Sequence, residues 1–151
     1  MNEVTDHDEH PVHVSSSSEL EQMISTVETT IYELSIKINE EFRDETMEAK
    51  QDLQTLIRVV KRPMELHVRL RITQKRPDAT IIADVSGEFA WTSEVLFDDA
   101  VLTPFINKVA FPYLANYSRP ILDGLARSAD LDAIGLPYTF STKSKLRAAT
   151  K

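Results

Sequence analysis

Three histidines near the start of the chain, His7, His10 and His13, stand with Asp6 and Asp8. Neutral imidazoles and carboxylates are ligands for divalent metals. Their spacing matches no closed structural site, and so polar a stretch cannot hold ligands in a fixed geometry. His67, Arg69 and Arg71 fall on alternate positions of one segment. They could take an anion or a carboxylate, or form a solvated face with cross-strand pairs to Glu33, Asp84 or Glu88. Carboxylates adjoin at Glu40-Glu41, Asp44-Glu45 and Asp98-Asp99. General acid–base work needs them converging in a shared, partly buried site, which neighbours in a charged run do not make. The chain has no cysteine and only 3 glycines, and it contains no P-loop, nucleophile elbow or glycine-rich phosphate turn. No enzyme, cofactor or metal site is expected.

The elements that must position any site fit one domain of 151 residues. The net charge of −7 disfavours nucleic acid and anionic membranes, which would repel it. No run approaches the length of apolar sequence that spans a bilayer, and the first residues lack a signal peptide's basic and apolar regions. A soluble, cytoplasmic protein without direct membrane insertion is expected.

Residues 1–23 read as a disordered acidic, His- and Ser-rich tail, residues 24–140 as the folded domain and residues 141–151 as a basic tail. In residues 30–39, Tyr32, Leu34, Ile36 and Ile38 alternate with Glu33, Ser35, Lys37 and Asn39, the period of a strand with one buried face. Residues 40–52 read as a long connection. In residues 53–62, Leu53, Leu56, Ile57 and Val60 fit helical spacing, while Thr55, Ile57, Val59 and the β-branched content favour a strand. Met64, Leu66, Val68, Leu70 and Ile72 alternate with polar residues, and so do Ile81, Ala83, Val85, Gly87, Phe89 and Trp91 after the turn at Pro77-Asp78. Thr103-Pro104 predicts the start of a helix, along which Ile106, Val109, Ala110, Tyr113, Leu114, Tyr117, Ile121 and Leu125 form one apolar stripe. Pro120 should kink or split that helix. The expected class is α+β: a four-stranded antiparallel sheet followed by a long helix packed on one face.

Nearly all the aromatic residues follow position 88. Aromatic side chains give large contact area at low entropic cost, and exposed apolar patches mark binding surfaces. The candidates are Phe89, Trp91, Phe105, Phe111, Tyr113, Tyr117, Tyr138 and Phe140, with Phe97 beside them. The competing reading is that regular spacing makes them core. Tyr113 and Tyr117 fit core or a subunit interface best, and Trp91 and Tyr138, at element ends, fit an exposed position best.

Gly87-Glu88-Phe89 closing the last strand, Phe111-Pro112-Tyr113 early in the helix, and Leu136-Pro137-Tyr138-Thr139-Phe140 after it occur in an order that resembles the SecB family of export chaperones, over roughly residues 28–140. The resemblance implies a homotetramer, a dimer of dimers. It would hold preproteins unfolded and translocation-competent and pass them to the SecA motor. It further implies an apolar client groove, rich in aromatics, between the helix side and the loop joining the first two strands. Members of the family also serve one dedicated partner, as in toxin–antitoxin modules. The family's cysteine- and histidine-bearing zinc tail, which helps dock the motor, has no counterpart in a chain without cysteine. A third possibility is a small enzyme or ligand-binding domain with a pocket under the sheet that contains His67 and buried carboxylates.

Overall fold

The computed structural model describes residues 10–39, 52–131 and the backbone of 145–148. Its centre is an antiparallel sheet of four long strands, β2 (Thr26–Ile38), β3 (Asp52–Arg62), β4 (Glu65–Lys75) and β5 (Ala79–Ala90), in the order β2-β5-β4-β3. A short β7 (Lys145–Ala148) adds in parallel to β3 at one edge. Two further residues on each side, β1 (Val12–His13) and β6 (Val95–Leu96), pair in parallel beside the sheet. The helices are α1 (Ser17–Met23), α2 (Asp99–Phe105) and α3 (Phe111–Ser128), with a π-helical turn at Ile106–Ala110 joining the last two.

Alternation places the core on one sheet face. Leu66, Val68, Leu70 and Ile72 of β4 stand opposite Phe89, Gly87, Val85 and Ala83 of β5, and all eight are buried. The segment 53–62 is a strand, as its β-branched content favours: Ile57 and Val59 pair with Leu70 and Val68 and are buried with them. The polar alternates form the opposite face. The β4–β5 turn is closed by the Arg76 N–H bonding Ala79 O at 2.8 Å and by a buried Arg76–Asp78 ion pair, also at 2.8 Å.

β2 departs from simple alternation. Ile31 pairs with Val85 and Glu33 with Asp84, so Tyr32 is an extra residue in a bulge. The bulge takes Tyr32 off the core face where Leu34 and Ile36 lie, and the Arg69 guanidinium stacks on its ring at 3.8 Å on the polar face. One inserted residue shifts the side-chain phase on either side of it.

The helical region starts earlier than Thr103-Pro104 predicts. Asp98 is the N-cap, its carboxylate accepting the Ala100 N–H at 3.1 Å, so the carboxylate pair at 98–99 opens a helix. Pro112 has no N–H, and its ring would crowd a regular preceding turn. The chain widens there instead: the Phe111 N–H reaches back to Ile106 O across the π-helical turn. α3 then runs unbroken through Pro120. Pro120 is exposed, as is Asn116, so water can bond the Asn116 carbonyl that the proline leaves unmatched.

Order also begins earlier than expected. Ser16 caps α1 by accepting the Glu19 N–H at 3.2 Å, and the Glu19 carboxylate accepts the Ser15 N–H at 3.0 Å. That Ser-x-x-Glu arrangement closes the first turn and delivers a fully buried Leu20. Val14, the residue after β1, joins the same cluster, and Val12 of β1 packs against it. The connection at 40–51 and the Pro137 segment lie outside the described residues.

α3 approaches the sheet at Gly87. A Cβ there would meet the Phe89 ring at 3.0 Å and Leu114 Cδ2 at 3.3 Å. Replacing Gly87 with valine forces apart two buried side chains, so Gly87→Val should cost about 2–3 kcal/mol, the scale of core overpacking. Urea unfolding should show it as a lower midpoint; an unchanged midpoint would mean that the helix does not sit this close.

Candidate functional site

α3 carries two apolar stripes where the sequence pattern suggests one. Phe111, Leu114, Ala115, Leu122 and Ala126 are buried against the sheet, and Ser118 among them bonds Leu114 O at 2.9 Å. Burial of each large side chain contributes about 1.5–3 kcal/mol, which fixes the helix's rotation about its axis. The second stripe, Tyr113, Tyr117, Ile121 and Leu125, is spaced by four residues along the flank and stays 39–40% exposed. It runs for about 18 Å at the rise of an α-helix. Gly124 adjoins Leu125, and a Cβ there would meet nothing within 4 Å. A mid-helix glycine costs up to about 1 kcal/mol against alanine, and no packing among the described residues requires it.

The stripe stands on an aromatic stack. Phe89 meets Phe105 edge-on at 5.5 Å and Tyr113 edge-on at 5.8 Å. Tyr113 is therefore supported from beneath while part of its ring stays open. On the neighbouring edge strand Ile31, opposite Val85, is also exposed.

Of the eight predicted groove residues, Phe89, Trp91, Phe105 and Phe111 are buried in the core. Trp91, expected at the surface, is only 3% exposed. Its indole N–H donates to Pro63 O at 2.9 Å, and its ring meets Phe97 edge-on at 6.1 Å. Lys61 covers the other side of that cluster, its ammonium 3.9 Å from the Phe97 ring centre and bonded to Phe97 O. The tight turn at Pro63-Met64 folds back over the end of β5, which position along a strand does not reveal. Tyr113 and Tyr117 are open. Tyr138 and Phe140 lie outside the described residues. Ile121 and Leu125 complete the open stripe; the sequence pattern placed them on the helix but could not say which part of a wide apolar arc faces outward.

The polar sheet face resolves as cross-strand pairing. Asp84, its side chain 2% exposed, accepts two bonds from Arg69 at 2.9 Å each and one from Arg71 at 2.9 Å. Arg71 also stands 3.7 Å from Glu33. Hydrogen bonding to Arg69 is the main influence that lowers the Asp84 pKa; burial opposes it, and Arg71 adds to it. His67 pairs opposite Glu88 on this face. It lines neither the cavity of about 490 Å³ beside β1, β6 and α2 nor that of about 260 Å³ beside Asp84. Among the described residues, no three His, Asp or Glu side chains gather as a metal site, and no helix is long and apolar enough to cross a membrane. His7 lies outside those residues.

No protein-family model matches the chain, and no curated protein matches it. Among solved structures it is similar to the Mycobacterium tuberculosis Rv1957 SecB-like chaperone, solved with a ChAD peptide from the Rv1956 HigA1 antitoxin. The TM-score is 0.60 at 14% identity, over 82% of this chain and 93% of that one. The chain has a SecB-like fold. Within that fold, four antiparallel strands and a long helix set the stripe of α3 at the surface.

Two outcomes test this geometry. Asp84 keeps its charge in the folded state to a lower pH than in the unfolded chain. Stability from it is therefore complete above the unfolded value, about 3.9, and is lost as pH falls through that value toward the lower folded one. Urea midpoints from pH 7 down to pH 3 should fall at the acid end, and Asp84→Asn should be less stable at neutral pH with a flatter acid limb. An acid limb of unchanged steepness would remove Asp84 from that role. Trp91, the sole tryptophan, should resist acrylamide quenching; quenching as fast as for free indole would place it at the surface.

Proposed function

We propose that this chain is a cytoplasmic holding chaperone that binds non-native polypeptide and keeps it soluble, with no reaction of its own. The observation that carries this reading is the open apolar stripe Tyr113, Tyr117, Ile121 and Leu125 on a helix whose other face is already buried in the core. A helix with a solvated outer side would carry polar residues there. A continuous row of large apolar side chains signals a surface that is covered part of the time. Tyrosines suit it, because they present contact area and keep a hydroxyl for water. The acidic chain would keep a loaded complex soluble.

In this reading the working form is a homo-oligomer, a dimer of dimers, that extends the apolar surface, and Tyr138 and Phe140 join the seat. Clients are unfolded preproteins or other non-native chains, and delivery to the SecA motor for export is the use that the family resemblance suggests. A second reading is a chaperone dedicated to one partner, and it is favoured by a specific finding: the similar solved chaperone was captured with a peptide from an antitoxin.

The test is light scattering from a chemically denatured, unrelated protein diluted into buffer with and without the chain, with the chain's mass read by multi-angle scattering. Suppressed aggregation by a species of about four subunits is expected, with Tyr117→Asp abolishing suppression at unchanged mass. If Tyr117→Asp instead reduces the mass to one subunit, the stripe is a subunit interface. No suppression by the folded chain excludes general holding and leaves the dedicated reading.

A further inference from the structure

β3 is an edge strand, and the chain covers part of that edge itself. Lys145, Leu146, Arg147 and Ala148 stand in parallel register opposite Leu56, Ile57, Arg58 and Val59. The rows continue into β4. Leu146 and Ala148 share the buried rows of Ile57–Leu70 and Val59–Val68, while Lys145 and Arg147 share the rows of Leu56–Arg71 and Arg58–Arg69. The backbone seat thus accepts a strand that alternates apolar residues with a second class, and charge identifies that class. On the outer face a cavity of about 260 Å³ beside the edge is lined by Leu56, Ile57, Arg58, Arg69, Arg71 and Asp84. Asp84 is committed to Arg69 and Arg71. Arg58 is exposed and forms no ion pair among the described residues. A basic strand here sets Arg147 opposite Arg58, a like-charge pair that destabilises a sheet. The occupant is also only 4 residues long on a strand of 11, and parallel pairing is the weaker kind.

We propose that the β3 edge is a seat for an extended client segment in which apolar residues alternate with acidic ones, and that Lys145–Ala148 is a tethered, electrostatically mismatched competitor for it. This rests on the polypeptide-binding reading and specifies where and by what chemistry a client adds its main chain to the sheet. The competitor covers the edge when no client is present, which protects it from pairing with other chains. It yields to a segment that supplies carboxylates to Arg58 and its row.

The experiment uses the full-length chain and two fluorescein-labelled nine-residue peptides, one alternating Glu with Leu and Val, the other with Lys in place of Glu. Binding is read by fluorescence anisotropy and folding of each variant by circular dichroism. The acidic peptide should bind more tightly than the basic one. Leu146→Pro, which cannot pair as a strand, should tighten the acidic peptide by up to about tenfold if the tail holds the seat nine-tenths of the time. Lys145→Glu with Arg147→Glu should weaken it, because the tail then matches the seat, and Arg58→Glu should reverse the preference between peptides. Equal binding of the two peptides, or affinity unchanged by Leu146→Pro, overturns the proposal. Should Arg58→Glu fail to fold, the paired tail substitutions carry the charge test alone. A chain that shows this peptide pattern without suppressing aggregation keeps the edge seat and loses general holding. A chain that suppresses aggregation but binds the two peptides equally keeps holding and loses the edge seat.

Discussion

The close seating of α3 on β5 at Gly87 governs the rest of the molecule. Leu114 comes down where Gly87 has no side chain, and the Phe89 ring fills the space beside it. With that contact set, Phe111, Leu122 and Ala126 must turn inward along the same line. The helix has no rotational freedom left, so Tyr113, Tyr117, Ile121 and Leu125 are held on its open flank. The open stripe is thus held rigid by a core contact, so anything that packs on it would not have to order it first.

The two faces of the sheet divide the labour. The inner face supplies hydrophobic burial, and the outer face uses a carboxylate to hold two guanidiniums in the middle strands. The pairing is asymmetric: Asp84 is sealed while Arg69 and Arg71 remain partly in water. The carboxylate therefore depends on the arginines more than they depend on it, because an unmatched buried charge is costly and a partly wet one is not. The Tyr32 bulge belongs to the same layer, since it brings an aromatic face under Arg69 at the cost of one step in the β2 register. The sheet's two edges differ as well. β2 is long and bulged, while part of β3 is covered by the chain's own β7.

Legibility in the sequence followed the strength of local periodicity. β4 and β5 alternate without interruption, and their faces, turn and pairing could be read directly from Leu66 to Phe89; Met64, which the alternation sets on the buried face, lies in the turn before β4 and is exposed. β3 was readable only through its β-branched content, because helical and strand spacing overlap in so short a run. The folding of residues 12–23 was hidden by composition: Ser15 to Ser18 look like a low-complexity tail, yet Ser16 and Glu19 form a capping pair that could have been recognised from spacing alone. Thr103-Pro104 is a strong local signal for a helix start, but Asp98 outcompetes it by capping five residues earlier.

By itself the sequence determined the class of fold, the alternation of the central strands, the presence of a long apolar helix and the absence of thiol or phosphate-loop chemistry. These depend on residue type and nearest-neighbour spacing. Only the tertiary structure decided which aromatics are core and which are surface. Phe89, Trp91, Phe105 and Phe111 are closed over by the Pro63 turn, by α2 and by the Gly87 contact, all of which depend on residues distant in sequence. It also decided that one apolar arc is two stripes with different fates, and that a basic segment at the far end of the chain lies against an edge strand near its middle. Periodicity specifies that a side chain has a face to bury, whereas what covers that face is set by packing between segments that the local pattern cannot connect.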